Sequence, residues 1–101
     1  MTTNTHDGKI DTRVVEKMRV ASGYHEDVLP VHVFFTELVL RRRYRDKVLR
    51  LGLGLPTPTH EWGRGITWKA VGVISPAAVL TLAAKESVRW IGPWDQREGA
   101  R

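Results

Sequence analysis

The chain has 101 residues, of which 42% are hydrophobic, so it is long enough for one globular domain with a single core. It contains no cysteine, which excludes a disulfide framework and any cysteine-based metal site. Sixteen basic and eleven acidic residues give a formal net charge of +5, a balance that favours acidic partners without identifying one.

The N-terminal segment is largely polar, and we expect residues 1–10 to be disordered. It lacks the basic and then apolar regions of a secretory signal, and no run in the chain approaches the roughly 20 apolar residues that a membrane helix needs. The sequence therefore predicts no membrane partner and, if the chain is complete, a cytoplasmic protein. A short helix is predicted from Asp11, which can cap it, to Gly23, a typical helix terminator.

Residues 28–35 are predicted to form a strand, because apolar residues alternate along them. One face of this strand carries His32 and Phe34, and the other carries Val31, Val33 and Phe35. His32 has no Asp, Glu or second His at ligand spacing, so we predict that it lies on the sheet surface and that the chain has no metal site.

The next predicted helix begins at Thr36 and Glu37 and ends at Gly52, with an apolar stripe at Leu40, Tyr44, Val48 and Leu51. Its other face is basic. Clustered arginines can neutralise phosphates, so the candidate nucleic-acid-binding residues are Arg41, Arg42, Arg43, Arg45 and Arg50. We favour a solvated helix face, because no aromatic stacking platform of the RNA-recognition type accompanies the arginines.

A connector rich in Gly and Pro leads to a predicted edge strand at residues 59–62 and, through a turn at 63–65, to a strand at 66–74. Alternation places five residues of this last strand on the core face: Ile66, Trp68, Ala70, Gly72 and Ile74. Ser75 and Pro76 then begin a brief helix that buries Val79, and a final strand is predicted at residues 88–91.

This order of elements is that of the ferredoxin-like split βαβ fold. We therefore predict an α+β two-layer sandwich, with two helices on one face of a four-stranded antiparallel sheet and a short additional helix at the N-terminus. One domain would cover residues 11–94 and a tail residues 95–101. The helix-free face would be too apolar for plain exposure, so the N-terminal helix, a second copy or another protein should cover Phe34, Val71, Val73 and Ile91.

The second half of the chain contains a strand that ends in Ser75-Pro76, an alanine-rich helix of two turns, and a short strand from Val88 to Ile91 that Pro93 follows. Upstream, Lys9-Ile10-Asp11 and the strand that opens at Val28 fit the same pattern. Over residues 9–94 the chain resembles the propeptide-inhibitor domains of subtilisin-like serine proteases.

The resemblance implies a protein-binding module that inhibits a serine protease or assists its folding. In that family the helix-free face rests on the protease, and the segment after the last strand lies in the active-site cleft like a substrate. The resemblance implies no cofactor and no catalytic residue in this chain. The protease-binding residues it assigns are Phe34, Lys69, Val71, Val73, Arg89, Pro93, Trp94, Asp95, Gln96, Arg97, Glu98, Gly99, Ala100 and Arg101.

Two alternatives remain beside this interpretation. The first is a non-inhibitory assembly or oligomerisation domain that uses the helix-free face for self-association, and the second is the nucleic-acid-binding module. The tail departs from the family pattern, because charged residues replace mostly small or apolar ones at Asp95, Arg97 and Glu98. An enzyme is not predicted, since no serine has a paired base within any local motif.

Overall fold

The structure is a computed structural model, and it describes residues 8–21, 28–60 and 66–95. Its first elements are helix α1 (Thr12–Ala21), strand β1 (Leu29–Phe35), a 3-10 helix (Glu37–Leu40) and helix α2 (Arg42–Arg50). They are followed by β2 (Thr57–Thr59), β3 (Thr67–Ile74), α3 (Pro76–Ala83) and β4 (Val88–Pro93).

The four strands form one antiparallel sheet in the order β2-β3-β1-β4. Helical segments connect β1 to β2 and β3 to β4, so the arrangement is the ferredoxin-like split βαβ fold and the predicted α+β class is confirmed. The edge strand begins two residues earlier than predicted, at Thr57. The predicted turn at 63–65 lies outside the described residues.

The domain begins before residue 11. Ile10 is only 5% exposed and forms a parallel bridge with Ile91 of β4. The Ile91 N–H donates to the Lys9 carbonyl at 2.7 Å, and the Asp11 N–H donates to the Ile91 carbonyl at 2.8 Å. The predicted boundary is therefore wrong, because burial of Ile10 and main-chain pairing with β4 fix this segment. Residues 1–7 lie outside the described residues.

The helix predicted from Thr36 to Gly52 is divided in two. The Thr36 hydroxyl accepts a hydrogen bond from the Leu38 N–H at 3.2 Å and so caps the 3-10 helix, and Arg41 then adopts an extended backbone with φ −70° and ψ 134°. The interruption buries Val39 completely and leaves Leu40, predicted for the apolar stripe, 48% exposed. Gly52 ends α2 as predicted, with a φ of +105° that favours glycine.

The connector after α2 extends the sheet along the edge of β3. Leu53 bridges Gly72, and the Gly54 N–H donates to the Val71 carbonyl at 2.9 Å. A Cβ atom on Gly72 would lie 2.7 Å from the Gly52 carbonyl oxygen and 3.0 Å from the Leu53 Cα. Glycine is therefore required here, because any Cβ atom would collide with the connector backbone.

Helix α3 begins as the sequence predicts. The Ser75 hydroxyl accepts a hydrogen bond from the Ala78 N–H at 3.1 Å, and Pro76 occupies the first turn, where a missing N–H costs nothing. Val79 is completely buried. The hydroxyl of Ser87, which lies just before β4, is buried without a hydrogen-bond partner among the described residues.

One continuous core joins all the helices to a single face of the sheet. The strands contribute Val31, Val33, Phe35, Ala70, Ile74, Val88 and Ile91, and the helices contribute Val14, Val39, Val48, Ala78, Val79, Leu82 and Ala83. Because Val14 belongs to this core, α1 packs on the same side as α2 and α3 and does not cover the opposite face.

Ile66 and Ile91 also differ from their predicted environment. Ile66 was expected in the core but is 58% exposed, because β3 begins only at Thr67 and Ile66 precedes the paired residues. Ile91 was expected on the helix-free face but is completely buried, since it pairs with Val33 and so shares the core side. Trp68, Ala70 and Ile74 lie at or in the core as predicted.

Candidate functional site

The helix-free face is the side of the sheet opposite this core. Directly paired residues of antiparallel strands point to the same side, so the strand registers define the members of this face. They form rows across the sheet: Trp94, Pro30 and Val73; Gly92, His32 and Val71; Trp90, Phe34, Lys69 and Thr57; and Thr67 and Thr59.

The face changes from apolar to polar along the strands. We call the first two rows, which contain Pro30, His32, Val71, Val73, Gly92 and Trp94, the apolar end. Val73 is 39% exposed, and Val71 is half-buried. The last row consists of two threonines, so apolar contact area is concentrated at one end of the sheet.

Phe34 anchors the centre of the helix-free face. It is only 6% exposed, although it lies outside the main core. Its ring meets that of His32 edge to face, with centroids 5.1 Å apart, and the Lys69 Nζ atom lies 5.6 Å from the Phe34 centroid. Trp90 is its partner on β4. Phe34 is therefore covered by its neighbours, and half-buried His32 and Trp90 provide the aromatic surface.

Gly92 makes room for two rings at the apolar end. A Cβ atom on Gly92 would lie 2.5 Å from the His32 Nε2 atom and 3.3 Å from the Trp90 Nε1 atom. The nitrogen-bearing edges of the imidazole and the indole therefore occupy the space that a side chain would fill. The indole N–H is a hydrogen-bond donor, so polar groups lie beside Val71 within a mostly apolar surface.

A carboxylate lies at the edge of the sheet beside β4. The Arg13 guanidinium and the Arg13 N–H donate to Asp11 at 3.1 and 2.8 Å, so Asp11 caps α1 as predicted. These hydrogen bonds, chiefly the one from the guanidinium, lower the pKa of Asp11, and the charge of His32 lowers it further. Asp11 therefore stays ionised in neutral solution.

The chain leaves the sheet at the apolar end. The Trp94 N–H donates to the Pro30 carbonyl at 3.1 Å and so continues the pairing of β4 with β1 by one residue. Trp94 is half-buried, and Asp95 is exposed. The remaining predicted tail residues, 96–101, lie outside the described residues. The predicted tail therefore starts next to Pro30, in the same row of the sheet as Val73.

Of the eight predicted contact residues that the structure describes, five lie on the helix-free face: Phe34, Lys69, Val71, Val73 and Trp94. Pro93 differs, because it pairs with Val31 and so points to the core side. Arg89 also differs. Phe34 pairs with Trp90 and Phe35 with Val88, so Arg89 is the unpaired residue of a β-bulge, at the end of the sheet away from the tail.

Sequence reasoning missed Trp90 as a member of the face and assigned His32 no binding role. Trp90 was missed because simple alternation would place it on the same side of the sheet as Val88, and the bulge between them breaks that alternation. The contribution of His32 to the face could have been found from the strand pattern, which already placed His32 on the same side as Phe34.

The arginine-rich helix lies on the other side of the sheet, because α2 buries Val48 in the main core. All five candidate arginines are exposed: Arg41, Arg42, Arg43, Arg45 and Arg50. Arg42 lies 3.8 Å from Asp46, and the Tyr44 hydroxyl donates to Glu86 at 2.9 Å, a bond that raises the pKa of Tyr44. The arginines and the aromatic rings of the helix-free face therefore cannot form one continuous surface.

Among the residues that the structure describes, no three His, Asp or Glu side chains come together in a way that could hold a metal ion. Within the same residues, no helix has the length and apolar character needed to cross a membrane. Comparisons with protein-family models, with curated proteins and with solved structures found no match.

Proposed function

We propose that this chain is a protein-binding module that docks on a subtilisin-like serine protease through its helix-free face and lays its C-terminal tail in the active-site cleft. In this role the chain inhibits the protease or assists its folding. The sheet supplies the docking surface, and the tail supplies an extended backbone that can pair with the cleft as an added strand.

The observation that carries this proposal is the adjacency of the apolar end and the start of the tail. The hydrogen bond from Trp94 to Pro30 fixes the exit point of the chain in the same row as Val73. A partner that covers Val71 and Val73 would therefore meet the tail at its first residue. Anchoring the tail on a folded domain lowers the conformational entropy that it loses on binding.

The face also has the composition of a docking surface. Half-buried His32, Trp90 and Trp94 supply ring area and polar edges, and exposed Val73 supplies an aliphatic contact. Aromatic residues that combine area with a hydrogen-bonding group are typical of binding hot spots. No helix of the described residues shields this surface.

Inhibition of a panel of subtilisin-like proteases tests the proposal. The full chain is compared with a variant that lacks residues 95–101. That deletion spares Trp94, which is held to Pro30 and lies on the face. We expect the full chain to inhibit at least one protease competitively, and the truncated chain to lose occlusion of the cleft while it stays folded.

If no protease of the panel is inhibited or refolds faster with the full chain, the proposal is wrong. If the chain is instead an assembly domain, its oligomeric state, measured by sedimentation, is the quantity to test. A chain that self-associates through the helix-free face would form an oligomer that aspartate at Val71 and Val73 dissociates, because the new charges would be buried unpaired.

A further inference from the structure

An open cavity of about 480 Å³ lies at the end of the sheet away from the tail. It is formed where β1 passes into the 3-10 helix, beside the first residues of β3 and β4. Its apolar lining comes from Phe35, Leu38 and Ile66. Ile66 is 58% exposed at this cavity, so its side chain is accessible to a ligand.

Two arginines and one glutamate complete the lining: Arg41, Arg89 and Glu37. Both arginines come from places where the backbone departs from regular structure. Arg89 is the unpaired residue of the β4 bulge, and Arg41 is the extended residue that separates the 3-10 helix from α2. Bulges and interruptions of this kind redirect side chains, and here both arginines line the same cavity.

Neither Arg41 nor Arg89 makes an ion pair within the part of the chain that the structure describes, where the ion pairs involve other residues. Glu37 makes no ion pair there either. The Thr36 hydroxyl accepts a hydrogen bond from the Leu38 N–H, and its own O–H remains able to donate to a ligand. Two guanidiniums against one carboxylate leave an excess of one positive charge beside an apolar wall.

We propose that this cavity binds a small monocarboxylate with an apolar body. Guanidinium groups match carboxylates in geometry and charge, and Ile66 and Leu38 would contact the apolar part of the ligand. Glu37 disfavours dianions, which would bring a second negative charge close to its carboxylate. The volume lies in the range of small-molecule sites. This site is separate from the helix-free face and independent of the proposed docking.

Amide chemical-shift titrations of the full chain with phenylbutyrate test the inference. Two further probes separate the contribution of the charge from that of the apolar body. Phenylbutyramide has the same shape without the charge, and acetate has the charge without the apolar body. We expect saturable shifts at Leu38, Arg41 and Arg89 with phenylbutyrate, and binding at least about tenfold weaker with either of the other two.

Arg89→Gln and Arg41→Gln should each weaken phenylbutyrate binding by about tenfold or more, since each removes a charge-assisted hydrogen bond. Arg50→Gln is the matched control. It removes the same charge from an exposed arginine of α2 outside the cavity, and binding should stay within about twofold. The amide spectrum of each variant reports whether it is folded.

The inference is overturned if phenylbutyrate gives no saturable shift at about 20 mM, a concentration that detects millimolar affinity. It is also overturned if the amide or acetate binds equally well, or if Arg89→Gln and Arg41→Gln bind like the unchanged chain.

Discussion

Gly72 and Gly92 both face a close neighbour, but the neighbours differ in their ability to move. A methyl group on Gly72 would meet main-chain atoms of Gly52 and Leu53, whereas one on Gly92 would meet the far ends of the His32 and Trp90 side chains. Rings can rotate away at small cost, but the connector backbone is held by the bridge to β3. The first glycine is therefore a requirement of the fold, and the second shapes the helix-free face.

We predict that Gly72→Ala lowers the free energy of unfolding by about 1–3 kcal/mol, as overpacking against fixed atoms does. Gly92→Ala should cost less and should instead shift the resonances of His32 and Trp90. Denaturant unfolding and ring-proton spectra measure the two effects. Gly8→Ala is the control, because a Cβ atom there meets nothing within 4 Å. Equal costs at Gly72 and Gly92 would contradict this explanation.

The lowered pKa of Asp11 makes the stability of the fold depend on pH. Its pKa is lowered in the folded chain, chiefly by the Arg13 side chain, so its ionised form stabilises the fold. This contribution is fully present above the pKa of the unfolded carboxyl and is lost as the pH falls through the lower folded value. Asp11→Asn keeps the helix cap and removes the charge, so its stability should approach that of the unchanged chain in acid.

Asp11→Ala removes the cap as well as the charge, and we expect it to cost about 1 kcal/mol at neutral pH. Unfolding midpoints of the unchanged chain and both variants across the acid range measure the effects. If the difference in stability between the unchanged chain and Asp11→Asn grows as the pH falls, the predicted direction of the pH dependence is contradicted.

Strand β3 shows how well the alternation of residues along a strand predicts which side chains are buried. This alternation has one success and one failure. It placed Ala70 and Ile74 correctly in the core, because both lie within the paired part of the strand. It failed at Ile66, because the sequence does not show where pairing begins. Ile74→Ala should therefore cost roughly 2–5 kcal/mol, whereas Ile66→Ala should cost less than about 0.5 kcal/mol. Denaturant melts in which the two losses are similar would contradict the observed start of β3.

The irregular positions of the other elements could not be predicted from their sequence. Leu40, Tyr44, Val48 and Leu51 repeat at helical spacing across Arg41, so nothing in the pattern indicates the interruption there. Burial of Val39 against the core determines it. The bulge at Arg89 likewise depends on the pairing of β4 with β1, which a single strand does not contain.

Helix α2 predicts how the chain behaves with nucleic acid. Its exposed arginines should give weak binding that falls steeply with added salt, because counterion release dominates such contacts. Replacing Arg42, Arg45 and Arg50 with Gln should flatten the salt dependence, which fluorescence anisotropy with a labelled single strand would measure. Tight, sequence-selective binding at physiological salt would contradict the solvated-face interpretation.

For the whole molecule, the order of elements was sufficient to predict the fold, because strand–helix–strand units of this length have few ways to form one sheet. Composition along single strands also predicted an apolar helix-free face and its members Phe34, Val71 and Val73. The position of Trp90, and the closeness of Trp94 to Pro30 and Val73, depend on pairing across strands. They could be seen only in the assembled sheet.

Matched charge substitutions on the two sides of the domain test the proposed docking of the helix-free face on a protease. One variant carries Val71→Asp and Val73→Asp on this face. The other carries Leu80→Asp on α3, where Leu80 is 45% exposed on the opposite layer. Melting temperatures close to that of the unchanged chain would show that both variants fold.

The deciding measurement is the dissociation constant of each variant for a subtilisin-like protease that the full chain inhibits. We predict that the double variant binds at least about tenfold more weakly, because two charges must be desolvated unpaired, and that Leu80→Asp binds within about twofold of the unchanged chain. Equal binding by both variants, or a larger loss for Leu80→Asp, would contradict docking through the helix-free face.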